Sequence, residues 1–294
     1  MNPFGLHALV LVSDWDESGA EKAIRTAAAI GYDLIEAPIF DPAAVDLKRT
    51  RDLLRQHKLT PSVSLGLTAG TDISSADRAI SAAGIARLHK VVDATAFIGG
   101  SVVAGVIGSA WQKYLVPPTD AGYQNAVSAI REVAKEARGK GVTLAVEVVN
   151  RFESNLLNTA AQAVRFVDAV GEDNVGIHLD TFHMHIEEAD AAAAIRACGS
   201  RLRYFHVNEN HRGYVDTGSI NFAPVFRALA TAEYDGVIAF EAFSSSTCSP
   251  TVAGNAAIWR SVFEDGEDVA RRALDFLKAG MASAHRAMEL AGSI

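Results

Sequence analysis

Short apolar and β-branched runs alternate with longer alanine-rich amphipathic stretches along all 294 residues of the chain. A run of strand length followed by a helical pattern is one βα unit, and successive units bury their apolar faces by pairing strands in parallel beneath the helices. Eight units can be counted. Their strands are predicted over Leu6 to Ser13, Leu34 to Ile39, Thr60 to Leu65, Val102 to Ile107, Thr143 to Val149, Val175 to Asp180, Leu202 to Val207 and Val237 to Ala242. Gly31 is expected to end the first helix, Gly141 follows the basic turn of the fourth, and Asn158-Thr159 offers caps for the fifth. No linker, charge block or identical repeat divides the chain, and with 49% hydrophobic residues it can bury one large core. The expected fold is α/β, a single (β/α)8 TIM barrel over residues 1–294. An open doubly wound sheet is the runner-up, but no GxGxxG turn follows the first strand, and Gly99-Gly100 reads as a helix-to-strand turn.

A net charge of −8 leaves no global positive field for nucleic acid or an anionic membrane. Cys198 and Cys248 have neither CxxC spacing nor enough companions for a disulfide framework. The N-terminus lacks a basic segment followed by a long apolar run, so no signal peptide, no membrane span and a cytoplasmic location are expected.

Active sites of such barrels lie at the C-terminal ends of the strands. Four successive predicted strands end in possible metal ligands: Glu147, Asp180, His206 and Glu241. A carboxylate inside an apolar run is costly unless paired or metal-bound, and four together are poorly explained by independent salt bridges. Three carboxylates and one imidazole make a mostly hard donor set suited to Mn2+, Mg2+ or Co2+, with positions left for water or substrate oxygens. His183, just beyond the sixth strand, can reach the mouth of the barrel. His178 shares the strand parity of Asp180 and is expected one layer deeper as a hydrogen-bonded core residue. His185 is a weaker substrate candidate, and His57, His89 and His285 fall on helical patterns. Trp15, Trp111 and Phe243 follow the first, fourth and eighth strands, where their faces can pack on the apolar surface of a small substrate. Ser64 and Gly66 offer close substrate approach.

Glu147-Val148-Val149-Asn150-Arg151-Phe152-Glu153, Leu179-Asp180-Thr181-Phe182-His183-Met184 and Glu241-Ala242-Phe243 resemble the ketose 3-epimerase family, whose members act on D-tagatose, D-psicose (D-allulose) and L-ribulose. The resemblance covers nearly the whole chain. It implies one divalent metal per subunit, Mn2+ first, with Glu147 and Glu241 as both ligands and acid/base groups. Asp180 and His206 would complete the coordination, and Glu153, His183 and Arg212 would bind substrate oxygens. It also implies a homodimer or homotetramer. The segment Asn208-Glu209-Asn210-His211-Arg212-Gly213 departs from the family's Gly-Glu-x-Asn-Arg-Arg run, keeping Arg212 but losing its arginine neighbour.

The chemistry expected is epimerisation at carbon 3 through an enediolate. The alternative on the same barrel is an aldose-ketose isomerase of a small free or phosphorylated sugar, although no Gly-rich phosphate nest is evident. A DNA-repair hydrolase would need a basic surface and more ligands, and a noncatalytic sugar-binding protein would exchange no substrate protons.

Overall fold

The computed structural model describes residues 2–291. Among them eight parallel strands close into a barrel in chain order: β1 (Phe4–His7), β2 (Leu34–Pro38), β3 (Thr60–Ser64), β4 (Val102–Gly105), β5 (Thr143–Glu147), β6 (Val175–Asp180), β7 (Leu202–Val207) and β8 (Val237–Phe240), with β8 returning to pair with β1. The helices are α1 (Glu17–Ile30), α2 (Leu47–His57), α3 (Arg78–Ile98), α4 (Asp120–Gly139), α5 (Ala160–Val170), α6 (Thr181–Glu187), α7 (Ala191–Cys198), α8 (Phe222–Thr231), α9 (Pro250–Asn255) and α10 (Gly266–Ala291). The expected (β/α)8 TIM barrel is the observed fold. No helix among the described residues is long and apolar enough to cross a membrane, and both cysteines are free.

The helix limits follow from local chemistry. The Asp16 carboxylate accepts from Gly19 N to start α1, which stops at Gly31 in the left-handed conformation. Thr159 and Gln162 close a reciprocal capping box on α5. In α4 the buried residues Ala126, Val127, Ile130, Val133, Ala134 and Ala137 recur every three or four positions, which turns one stripe toward the sheet.

Strand alternation fills the inside of the barrel. Ala104, Ala145 and Ala239 surround the fully buried Tyr204 ring, so one large side chain occupies space left by three small ones. Two residues further along these strands, at the C-terminal mouth, the inward positions become ionisable: Glu147, His206 and, just past β8, Glu241. The β6/β7 pair slips by one residue between Ile177 and His178, and this puts Asp180 opposite His206 and His178 opposite Tyr204. A Cβ on Gly176 would lie 2.0 Å from Arg203 Cγ, so the irregular register needs glycine there.

The first strand is shorter than its apolar run implies. The His7 ring accepts from Leu9 N and caps a 3-10 turn, Ala8–Val10, which ends β1 at His7. Trp15 is carried away from the barrel mouth as a result. It is buried beside a separate small pocket that Ala20, Val45 and Leu53 also line, and this corrects its expected place against substrate.

Candidate active site

A cleft opens at the C-terminal mouth, lined among others by His7, Glu36, Ser64, Trp111, Glu147, Glu153, His183, His206, Arg212, Glu241 and Phe243. Its floor holds the residues from four adjacent strand ends. Single donor atoms of Asp180, His206 and Glu241 lie within 4.8 Å of one another, as do those of Glu147, Asp180 and His183, and of Glu147, His178 and His206. His206 Nδ1 stands 3.7 Å from Asp180 Oδ2 and 3.7 Å from Glu241 Oε1, too far for a hydrogen bond. Neither His206 Nδ1 nor Asp180 Oδ2 has any hydrogen-bond partner, although both are fully buried. Orphaned donor atoms converging at that spacing are what a divalent cation would satisfy.

Each of these side chains is held from behind. Asp180 Oδ1 caps α6 by accepting from Phe182 N at 2.6 Å, which leaves Oδ2 facing inward. Glu241 Oε2 accepts from Asn208 Nδ2 at 3.0 Å and from Arg212 at 2.9 Å, leaving Oε1 for the floor. Asn208 is itself fixed, because its backbone N–H donates to Thr181 Oγ1 and its carbonyl accepts from the same hydroxyl. The His178 ring is buried as expected, but both its nitrogens lack partners. It packs edge-on against His206 with centroids 4.2 Å apart, and its Nδ1 lies 3.9 Å from Glu147 Oε2.

Above the floor lies a polar wall. Asn150 donates to His183 Nδ1 through its backbone N–H at 3.1 Å, so the neutral ring carries its proton on Nε2. That Nε2 points at Glu147 Oε1, 3.6 Å away; Arg212 Nη2 lies 3.3 Å from it but is itself a donor, so the two share no proton in this tautomer. Glu153 accepts from the Trp111 indole at 2.7 Å and from Asn150 at 2.9 Å, and meets the Arg212 guanidinium at 3.4 Å. Arg212 lies over the rings of Phe182 and Phe243, 3.9 and 4.9 Å from their centroids. Its backbone is left-handed, with φ 59°, and its N–H donates to Glu209 O. The buried Glu209 carboxylate gathers the backbone N–H groups of Asn210, Asp216 and Ile220, and so shapes the loop that presents Arg212. Gly66 serves packing within the cleft: a Cβ there would lie 2.8 Å from Trp111. His185 is exposed and faces Ser219.

The electrostatics divide these groups. Burial and the nearby charge of Glu241 push Glu147 well above the usual carboxylate range. Burial also raises Glu241, to about 7, although His206 and Arg212 pull the other way. For Glu153 burial is outweighed by His183 and Arg212, so it stays ionised, and for Asp180 burial is likewise overcome by His206, His183 and Arg212. Burial holds His183 below the ordinary histidine value and His7 down at about 4, so both are neutral donors or acceptors. Burial opposes a charge on His206 too, yet Glu36 and Glu241 raise it well above the ordinary value, so a proton occupies Nδ1 where a cation would sit.

Two ionisable residues of the cleft, His7 and Glu36, escaped the sequence analysis, as did Asn208 as the support behind Glu241. Glu36 was legible in principle, since it is an acid inside the apolar run Leu34-Ile35-Glu36-Ala37, on the same grounds that picked out Glu147.

The family model described as Xylose isomerase-like TIM barrel matches residues 24–280. The chain is 43% identical to the L-ribulose 3-epimerase of Methylomonas sp. (strain DH-1) over 94% of this chain and 96% of that one. It is 40% identical to the ketose 3-epimerase of Arthrobacter globiformis, covering 93% and 95%. The crystal structure of the D-allulose 3-epimerase from Methylomonas sp. in complex with D-allulose superposes with a TM-score of 0.93 at 43% identity, covering 95% of this chain and 96% of that one. The chain therefore belongs to the ketose 3-epimerases within the xylose isomerase-like barrels, and is an enzyme of the isomerase class.

Proposed function

We propose that this protein, as one domain over residues 1–294, is a metal-dependent epimerase of free ketoses at carbon 3, of the L-ribulose, D-psicose/D-fructose and D-tagatose class. The observation that carries this reading is a pair of buried carboxylates with high proton affinity, Glu147 and Glu241, on the floor of one cleft whose wall is built to bind hydroxyls. The names of the relatives support the same substrate class.

Glu147, Asp180, His206 and Glu241 would hold the cation, Mn2+ first, with Co2+ or Mg2+ as substitutes in a mostly oxygen donor set. Bound there, the metal supplies Lewis-acid stabilisation of the negative charge that develops next to the carbonyl, a contribution of several kcal/mol. One glutamate takes the carbon-3 proton and the other returns a proton to the opposite face of the planar enediolate, and their roles exchange with reaction direction. The His183 Nε2–H and the Arg212 guanidinium donate to substrate oxygens, Glu153 accepts from a hydroxyl, and Trp111 and Phe243 cover the apolar face of the sugar. The working enzyme is a homo-oligomer, a dimer or a tetramer, and takes no nucleic acid.

Incubating metal-loaded protein with L-ribulose, D-psicose, D-fructose and D-tagatose in D2O tests the reading. Deuterium at carbon 3 of an epimeric ketose, with epimeric product lost in Glu241→Gln, is expected by NMR. Deuterium at carbon 1 or 2 with an aldose product would establish an isomerase instead. Arg212→Lys keeps the charge but loses the planar fork, so kcat/KM should drop about tenfold or more with KM taking most of the change. An unchanged kcat/KM would place the substrate away from this wall.

A further inference from the structure

The residue on the far side of His206 has no role in the reading above. Glu36 is the third residue of β2, opposite His7 on β1 and Ser62 on β3, and is completely buried. Its Oε2 accepts two hydrogen bonds, from Tyr204 Oη at 2.7 Å and from His206 Nε2 at 2.8 Å. Tyr204 Oη also meets Ser62 Oγ at 2.8 Å. Because Tyr204 gives its only proton to Glu36, the Ser62 hydroxyl donates to Tyr204, and the chain of bonds has one direction. It runs from Ser62 through Tyr204 to Glu36, which receives His206 from the other side.

The other Glu36 oxygen, Oε1, has no hydrogen-bond partner, and His7 Nε2 is 3.6 Å away. Leaving a carboxylate this deep with half its acceptor capacity unused costs stability, and an apolar or amide side chain would fill the space more cheaply. What the carboxylate does provide is a fixed tautomer for His206. When the ring gives up its extra proton, the Nε2–H held by the carboxylate is the one retained and the lone pair opens at Nδ1, the atom facing Asp180 Oδ2 and Glu241 Oε1. His178, packed edge-on to the ring, blocks its rotation.

We infer that Glu36 is a positioning residue: through the His206 Nε2–H bond it locks the imidazole with Nδ1 directed into the donor cluster, and thereby sets the metal affinity of the site. This rests on the metal-site reading proposed above, and not on which ketose is turned over.

The test uses the intact protein without substrate. Titration of the metal-free protein with Co2+, followed by visible absorption, is expected to give one site per chain. Glu36→Gln, which is nearly isosteric, should bind about 10- to 100-fold more weakly with a changed visible spectrum. In a His206→Ala background the same substitution should have little further effect, because its influence passes through His206. A second measurement needs no variant: 1H–15N spectra of histidine-labelled wild-type protein loaded with Mg2+ should show the His206 proton on Nε2. A proton on Nδ1 of the loaded protein, or equal Co2+ affinity and spectrum in wild type and Glu36→Gln, would overturn the role of Glu36 alone. Failure of the wild-type protein to bind Co2+ would overturn the metal reading and this inference with it.

Discussion

Glu241→Gln, saturated with metal, is expected to lose epimerisation by about 10^3-fold or more, within the range that one positioned acid/base group supplies together with lost charge at the site. Glutamine keeps the size of the side chain but only one carbonyl oxygen, which can accept from Asn208 and Arg212 or face the floor but not both, so the loss is read at saturating metal to separate proton transfer from ligation. Two bases on one cleft also predict a selective residue of activity. With Glu241 disabled, Glu147 can still take a proton from the epimer that presents its carbon-3 hydrogen on that side and can return deuterium from D2O to the same face. NMR should therefore show exchange into one epimer without conversion to the other, and Glu147→Gln should show the mirror result. Exchange into both epimers in either variant would mean that a single group serves both faces, which removes the two-glutamate mechanism.

The barrel was legible because its two periodicities are written separately in the sequence. Strands β6 and β7 fall on the predicted residues, since each apolar run ends where the backbone turns away. The runs through Val148-Val149 and through Ala8–Val10 overshoot for a shared reason. Apolar side chains stay buried past the last ladder bond, because loops at the mouth fold back over the barrel, and burial alone does not distinguish a strand from a capped turn. The floor of the site could be read from four strand ends because an acid in an apolar run is conspicuous. Its wall was less readable. The stacking of Arg212 on Phe182 and Phe243 depends on a left-handed residue held by Glu209, and no spacing rule encodes that turn. Glu36 meets His206 across 170 positions of sequence, a contact that follows only from closure of the barrel.

Removal of the metal should abolish turnover and cost about 3 kcal/mol of folding stability, if the ion had been present at 100 times its dissociation constant. For a chain of this size that is a lowering of the melting temperature by roughly 5 °C in a calorimetric scan after chelation. The pH dependence of rebinding follows from the floor's proton affinities. Without metal, burial raises Glu241 to about 7 and lifts Glu147 well above its usual range, while His206 keeps an extra proton on Nδ1. Metal needs all three groups deprotonated, so protons compete with it, and affinity must increase as pH rises through 7. Glu241 alone, going from about one-tenth ionised at pH 6 to nine-tenths at pH 8, gives about a tenfold gain, and release of the other two protons steepens it. Isothermal titration in buffers of different ionisation enthalpy would count the protons released per ion bound. A count near zero, or affinity independent of pH between 6 and 8, would mean that the ion does not replace these protons and sits elsewhere than among Glu147, Asp180, His206 and Glu241.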